Sequence, residues 1–157
     1  MTSFLDKLFG LEDRVAAITG GGGYLCGEMA RGLAKAGCKI AVMDLRGHKA
    51  KEVARDIRNS IGVEAIGFEI DASDKNAFAD GLDQTLAAFG RADILINGAG
   101  INAPTPFLDI TIGEFNDVMK SQITSTLLGC QVFGRHMLDQ GKGSIINISS
   151  ASAGPPL

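Results

Sequence analysis

Five short runs of small and β-branched apolar residues recur along this chain, each pair separated by a longer segment whose apolar residues return every three to four positions. That alternation constrains the fold more than any other feature. Neighbouring parallel strands need a long crossover, and helical crossovers cover both faces of the sheet they connect, so the strands between them become apolar throughout. The runs fall at residues 14–18, 39–43, 64–70, 92–96 and 144–148, and each is followed by glycine or small polar residues that allow a turn. Between them, Met29, Ala30, Leu33 and Ala34 predict a first helix, stopped by Gly37. Ala50, Val53, Ala54 and Ile57 predict a second, and Phe78, Leu82, Leu86 and Phe89 a third. A fourth and longest helix opens at Thr111, with Glu114 in capping-box position, and runs through Phe115, Val118, Met119, Leu127 and Val132 to Leu138. The expected fold is a three-layer α/β sandwich of Rossmann type. Its doubly wound parallel sheet has the order 3-2-1-4-5, in a single domain spanning residues 1–157. Because the fifth run is followed by Ala-Gly-Pro-Pro-Leu rather than by a helical segment, that fold is expected to be incomplete at its C-terminus.

The sharpest local signal follows the first run. Thr19-Gly20-Gly21-Gly22-Gly23-Tyr24-Leu25-Cys26-Gly27 leads from a strand into a helix, where free backbone N–H groups and the helix dipole attract a diphosphate. Glycine suits such a loop because, without Cβ atoms, the backbone takes positive φ and phosphates approach it closely. The chain's 21 glycines against 4 prolines therefore point to turns near a ligand rather than to disorder. Asp44 closes the second run, about two dozen residues after the loop begins. A carboxylate at that place can accept both ribose hydroxyls of an adenosine and repels a 2′-phosphate, so NAD is expected over NADP, with Arg46 partly offsetting the repulsion. Two other nucleotide-binding classes share part of this pattern. A P-loop NTPase needs Gly-Lys-Ser or Gly-Lys-Thr at the helix start, but Gly27 is followed by Glu28, which disfavours a triphosphate. An S-adenosylmethionine methyltransferase also places a glycine loop and an acidic strand end around an adenosine, and only later segments separate it.

Fifteen basic and eighteen acidic side chains give a formal charge of −3 without any basic run, which argues against nucleic acid as a partner. Cys26, Cys38 and Cys130 are odd in number, far apart and outside any C-x-x-C pair, the usage of a reduced, cytoplasmic protein. No stretch approaches the roughly 18 apolar residues of a membrane helix, and the N-terminal apolar stretch is too short for a signal sequence, so a soluble protein is expected. His48 and His136 fall on expected helices away from the strand ends; neither is assigned a role, and no metal is expected.

Taken in order, the Thr19-Gly20 loop, Asp44, Asp71, Asn97-Gly98-Ala99-Gly100 and Asn147-Ile148-Ser149-Ser150 resemble the short-chain dehydrogenase/reductase family over essentially the whole chain. The resemblance implies that Thr19, Gly20, Gly22, Gly23, Tyr24, Leu25, Asp44, Asp71, Ala72, Asn97, Gly98, Ala99 and Gly100 bind the cofactor NAD. Asp71 would hold the adenine, and Asn97 to Gly100 would end the fourth strand and shape the cleft. Ser150, with Ser149 as the alternative, matches the family's catalytic serine. Gln122 stands where many members carry an asparagine that supports a proton-relay water, with the same amide one methylene further out. The implied reaction passes hydride between the nicotinamide and a hydroxyl or carbonyl carbon of a small molecule. A tyrosine moves the proton, Ser150 bonds the substrate oxygen, and a lysine holds the ribose and lowers the tyrosine pKa.

The Tyr-x-x-x-Lys motif that this chemistry needs is not in the sequence: its one tyrosine is Tyr24, and no lysine follows Lys142. The expectation is a fragment cut before the motif, without useful turnover, from a parent that forms homodimers or homotetramers; exposed apolar surface should make the fragment prone to aggregate. A non-catalytic dinucleotide-binding module or pseudoenzyme is the alternative. Tyr24 and Cys26 replace two glycines of the family's loop, with Gly22, Gly23 and Gly27 expected to do similar work one position displaced, and Asn97-Gly98 replaces Asn-Asn. Leu25-Cys26-Gly27 is similar to loops of members that resemble mannonate/fructuronate-type sugar-acid oxidoreductases, which points toward a sugar acid. Asn102, Pro104, Thr105, Pro106 and Phe107 follow the fourth strand and are expected to line the substrate side.

Overall fold

Strand β1 (Val15–Thr19) is buried at every position and pairs in parallel with strands on both sides, so it forms the centre of the fold. The computed structural model describes residues 9–150. With β2 (Lys39–Asp44), β3 (Ala65–Glu69), β4 (Ile94–Asn97) and β5 (Ser144–Asn147), β1 makes one five-stranded sheet in the order β3-β2-β1-β4-β5. Every pairing is parallel, as the alternation of strands and helices implies, and the order is the one expected for a doubly wound sheet of Rossmann type.

Successive side chains of a strand point to opposite faces, and here each face has its own helical cover. On one side Ala16, Ile18, Ile40, Val42, Ile94 and Ile96 pack against α1 (Tyr24–Lys35) and α2 (Gly47–Ser60). The stripe expected for the second helix, Ala50, Val53, Ala54 and Ile57, is buried in this layer. On the other side Ala17, Ala41, Met43 and Leu95 meet α3 (Lys75–Phe89) and α5 (Ser125–Asp139), where Phe78 and Phe133 are both fully buried. Their rings sit edge to face with centroids 6.2 Å apart, the arrangement that the aromatic quadrupole favours.

The long fourth helix is not uniform. After α4 (Ile112–Met119), residues Lys120–Thr124 form one wide turn of π type before α5 continues. The Ser125 N–H reaches back five residues to the Lys120 carbonyl, which leaves the Ser121 carbonyl without its α-helical donor. The Ser125 hydroxyl donates to that carbonyl, and the Thr126 hydroxyl donates to Gln122 O at 2.7 Å. Apolar spacing alone cannot register such a turn, so the periodicity had predicted one unbroken helix. Only half of the expected capping box forms. Thr111 Oγ1 accepts the Glu114 N–H at 3.1 Å, but the Glu114 carboxylate accepts the Thr105 hydroxyl at 2.7 Å.

At the N-terminal edge of the sheet, the buried Asp93 joins β1 to β4. Its carboxylate accepts the Val15 N–H at 3.0 Å and bonds from the Arg91 and Arg14 guanidiniums. Burial alone pushes this carboxyl up, but the two arginines and the Val15 amide outweigh it and hold the pKa below the usual aspartate value of 3.8. At the opposite side of the sheet β5 has a single strand neighbour, and its residues are exposed or half-buried.

Two variants test this framework by urea unfolding. Phe78→Ala should lower stability by about 3–5 kcal/mol, the usual effect of emptying a buried phenylalanine site. Asp93→Ala should cost about 1–3 kcal/mol at neutral pH because it leaves the buried Val15 amide without its acceptor. Since the folded-state pKa of Asp93 is depressed, its contribution is whole above 3.8 and disappears as the pH falls through the folded value. The gap between parent and variant should therefore close in acid, and a gap independent of pH would contradict the assignment.

Candidate functional site

The chain winds from β1 to β2 and β3 on one side, then returns to place β4 and β5 on the other. Parallel strands all end at one edge, and such a reversal opens a crevice there between the loops that leave the two inner strands. In this chain the crevice is a cleft of about 590 Å³. Thr19, Gly20, Gly23, Tyr24 and Leu25 line it from the end of β1 and the start of α1; Met43, Asp44, Leu45 and Arg46 line it from β2. Ile70, Asp71, Ala72 and Ser73 follow β3, Gly98, Ala99, Gly100 and Ile101 follow β4, and Ile148 follows β5.

The glycine loop is held by backbone bonds. Gly21 donates to Met43 O at 3.1 Å and Gly23 to Gly20 O at 2.9 Å, which closes the turn into α1. No side chain caps α1 at Gly23, so its first turn presents uncapped amides to the cleft. Gly20 has a φ of +67°, and a methyl group on it would lie 2.7 Å from Gly98 O; glycine is needed there both for conformation and for space. The Thr19 hydroxyl fastens β1 to β4. It donates to Ile96 O and accepts the N–H groups of Gly98 and Ala99 at 3.0 and 3.2 Å.

Asp44 is only 6% exposed, and its carboxylate is already engaged. Oδ2 accepts the Gly22 N–H at 3.0 Å; Oδ1 accepts both the Arg46 N–H at 2.9 Å and Arg46 Nε at 3.2 Å. A carboxylate oxygen has two lone pairs, so Oδ1 is filled and Oδ2 keeps one site. The expectation that Asp44 is open to both ribose hydroxyls is thereby narrowed: one acceptor site is free, and a second requires Arg46 to let go. Asp71 is exposed, and its Oδ1 accepts the Ser73 N–H and hydroxyl at 2.8 and 2.6 Å. The Ser73 hydroxyl, then the Ser73 amide, hold the Asp71 carboxyl below its usual range, so it stays ionised well into acid.

Four of the residues singled out in the sequence stand outside the cleft lining. Gly22 lies behind Asp44 and holds it through its amide. Asn97 is buried, donates to Asn147 Oδ1 at 2.9 Å and ties β4 to β5. Gln122 lies under the loop after β4, where Nε2 donates to Ile101 O at 3.0 Å and the carboxamide packs on Gly100. Ser150 is exposed beyond the end of β5. The stretch Asn102 to Phe107 does not line the cleft either; from this loop only Ile101 joins the lining after Gly100.

Sequence inspection passed over Ser121, which the π-type turn swings into the cleft wall. Its hydroxyl accepts the Ile101 N–H at 3.2 Å and donates to Val118 O. The closely spaced Ser121, Ser125 and Thr126 were the available signal, since these hydroxyls satisfy the carbonyls that the wide turn releases. Cys26, a departure from the family's glycine, is a buried part of the cleft wall with its Sγ 3.8 Å from Gly98 O. Burial, then the nearby Asp44 charge, push its thiol pKa up, so it rests as the neutral thiol. Among the described residues, no group of three or more His, Cys, Asp or Glu is placed to hold a metal ion, and no helix is long and apolar enough to cross a membrane.

With the fold and cleft described, comparison with known proteins is informative. The sequence profile described as short chain dehydrogenase matches residues 14–157. The chain is 34% identical to an uncharacterized oxidoreductase, UxuB, of Bacillus subtilis over 94% of its own length and 58% of that protein's. It is 31% identical to D-threitol dehydrogenase of Mycolicibacterium smegmatis, over 95% of this chain and 57% of that one. A crystal structure of NAD+-bound xylitol dehydrogenase superposes with a TM-score of 0.87 at 29% identity, covering 93% of this chain and 57% of its own. The chain thus spans somewhat over half the length of each of these three proteins. A parallel sheet in the order 3-2-1-4-5, a glycine loop at its reversal point and a family profile that takes in all but the first thirteen residues lead to one conclusion, that this chain belongs to the short-chain dehydrogenase family.

Proposed function

We propose that the cleft holds a nicotinamide dinucleotide, NAD in preference to NADP, and that the chain is the cofactor-binding part of an oxidoreductase acting on a small polyhydroxylated substrate, a polyol or a sugar acid. The observation that carries this reading is the buried Asp44 carboxylate, bonded at 3.0 Å to the amide of Gly22. The glycine loop and the acidic strand end thereby form one rigid unit, with the spacing of a diphosphate next to a ribose. Uncapped amides at the start of α1 receive the diphosphate. The remaining acceptor site of Asp44 Oδ2 takes a ribose hydroxyl, and Asp71 with Ala72 receives the adenine. Asn97 braces β4 from behind while Gly98, Ala99 and Gly100 let the cofactor lie close to the backbone.

When bound, the nicotinamide supplies or takes up hydride. Ser150 would hydrogen-bond the reacting oxygen, and Gln122 would support a relay water from beneath the loop after β4. The proton step needs a group such as the family's tyrosine, and the one tyrosine of the 157 residues is Tyr24, in the cleft lining at the start of α1. The 157-residue chain is therefore proposed to bind cofactor without turnover. The polyol or sugar-acid class is supported by the named activities of D-threitol dehydrogenase and xylitol dehydrogenase and by the Leu25-Cys26-Gly27 loop. Exposed Ile112, Phe115, Met119, Ile123 and Leu127 form a stripe along α4 and α5 that supports assembly of the parent enzyme into dimers or tetramers. A cytoplasmic location fits the three free cysteines.

Titration calorimetry with NAD+ and NADP+ checks the cofactor assignment. Asp44→Ala should weaken NAD+ by about 10- to 100-fold, the range for a charge-assisted hydrogen bond; unchanged affinity would sink the reading. Arg46→Ala should leave NAD+ unchanged or tighter, because it frees Asp44 Oδ1, and should weaken NADP+, because it removes the guanidinium that pairs with the Asp44 carboxylate.

A further inference from the structure

Gly98 is the point at which the walls of the cleft meet. Its N–H donates to Thr19 Oγ1 at 3.0 Å, its carbonyl lies beside the Cys26 Sγ at 3.8 Å, and the same carbonyl limits Gly20 to a hydrogen side chain. A methyl group on Gly98 would lie 2.3 Å from Cys26 Sγ, 3.2 Å from Thr19 O and 3.6 Å from an Ile148 side-chain carbon. Only the first is an impossible distance. Gly98 is not among the glycines of positive φ, so its backbone conformation would accept any L-residue. The atom that a side chain at 98 would have to displace is the thiol at 26. Read the other way, the Cys26 thiol on α1 occupies the space that a Cβ at position 98 would take. Two of the residues that depart from the family's pattern, Cys26 in the glycine loop and Gly98 in the Asn-Asn pair, are therefore in contact.

We propose that Cys26 and Gly98 act as one positioning unit, a thiol filling the space of an absent side chain, which sets the separation between the start of α1 and the end of β4 and thereby the fit of the cofactor diphosphate. The inference rests on the dinucleotide reading of the cleft. α1 carries the amides proposed to meet the phosphates, whereas Asp44, Asp71 and Ala72 approach from β2 and β3. Wedging α1 away from β4 must therefore harm phosphate recognition and spare adenosine recognition. General damage to the fold would weaken both alike.

The test is a double-mutant cycle on the 157-residue chain, with Cys26→Ala, Gly98→Ala and the double variant titrated with NAD+, ADP and adenosine. Gly98→Ala should weaken NAD+ and ADP by about tenfold or more, as insertion of a methyl into filled space implies, while adenosine changes by less than about threefold. Removing the thiol makes room for that methyl, so the double variant should return to within about threefold of the parent for all three probes. Parent-like ADP binding by Gly98→Ala, equal losses of ADP and adenosine, or a double variant no better than Gly98→Ala would each overturn the proposal. Should Gly98→Ala not fold, far-UV circular dichroism takes over as the readout: a double variant that folds and binds ADP supports the unit, and one that stays unfolded overturns it. The underlying reading fails separately, when the parent chain itself binds no NAD+.

Discussion

Everything at the carboxyl edge of this sheet depends on the Thr19 hydroxyl, which bonds β1 to the backbone of the loop after β4. β1 and β4 are neighbours whose following segments diverge, one into the glycine loop and α1, the other toward the π-type turn. That hydroxyl, together with the Cys26 thiol against Gly98, holds the two loops to each other as well as to the strands behind them. Because one oxygen both donates to Ile96 O and accepts two amides, it fixes the loop backbone without placing a bulky group in the space it frames. Asp93 makes a comparable link between the same two strands at the other end of the sheet, using charge where Thr19 uses a hydroxyl. The difference follows from what each end must do: the closed end can fill its space with guanidinium groups, and the open end cannot.

The cleft is charged asymmetrically. Asp44, Arg46 and Asp71 stand along the β2 and β3 side, while the residues that line the β1 and β4 side, from Thr19 to Cys26 and from Gly98 to Ile101, carry no charged side chain. A ligand with a hydroxyl-rich end and a phosphate-rich middle meets complementary partners in that order. The bond between Gly22 and Asp44 keeps the carboxylate from swinging into solvent, so its position is fixed by the fold itself. Arg46 completes this arrangement from the exposed side, 58% accessible, and sets how many acceptor sites the carboxylate offers.

The π-type turn shows how local chemistry reshapes an element that apolar spacing describes only coarsely. Ser125 and Thr126 take up the carbonyls that the widened turn releases, and the turn rotates Ser121 into the cleft wall while Gln122 stays below it. A straight helix would orient these neighbours differently. Such turns accumulate at functional sites because their energetic cost requires compensation from side chains at one place.

The linear order of residues determined the layers, the strand order and the segments that gather at the cleft. Alternate burial on two covered faces writes itself into a strand as an unbroken apolar run, and the helical stripes of Ala50, Val53, Ala54 and Ile57 are equally direct. Glycines before a helix and a carboxylate at a strand end were legible because each answers a local requirement of backbone or charge. The partners of those groups were decided only by the tertiary structure. That Asp44 is held by Gly22 and Arg46, that Gln122 reaches Ile101 rather than the cleft, and that Cys26 lies against Gly98 are facts about distances across as many as seventy-two positions of chain. Periodicity reports which face a side chain takes; close packing in three dimensions selects the atom it meets there.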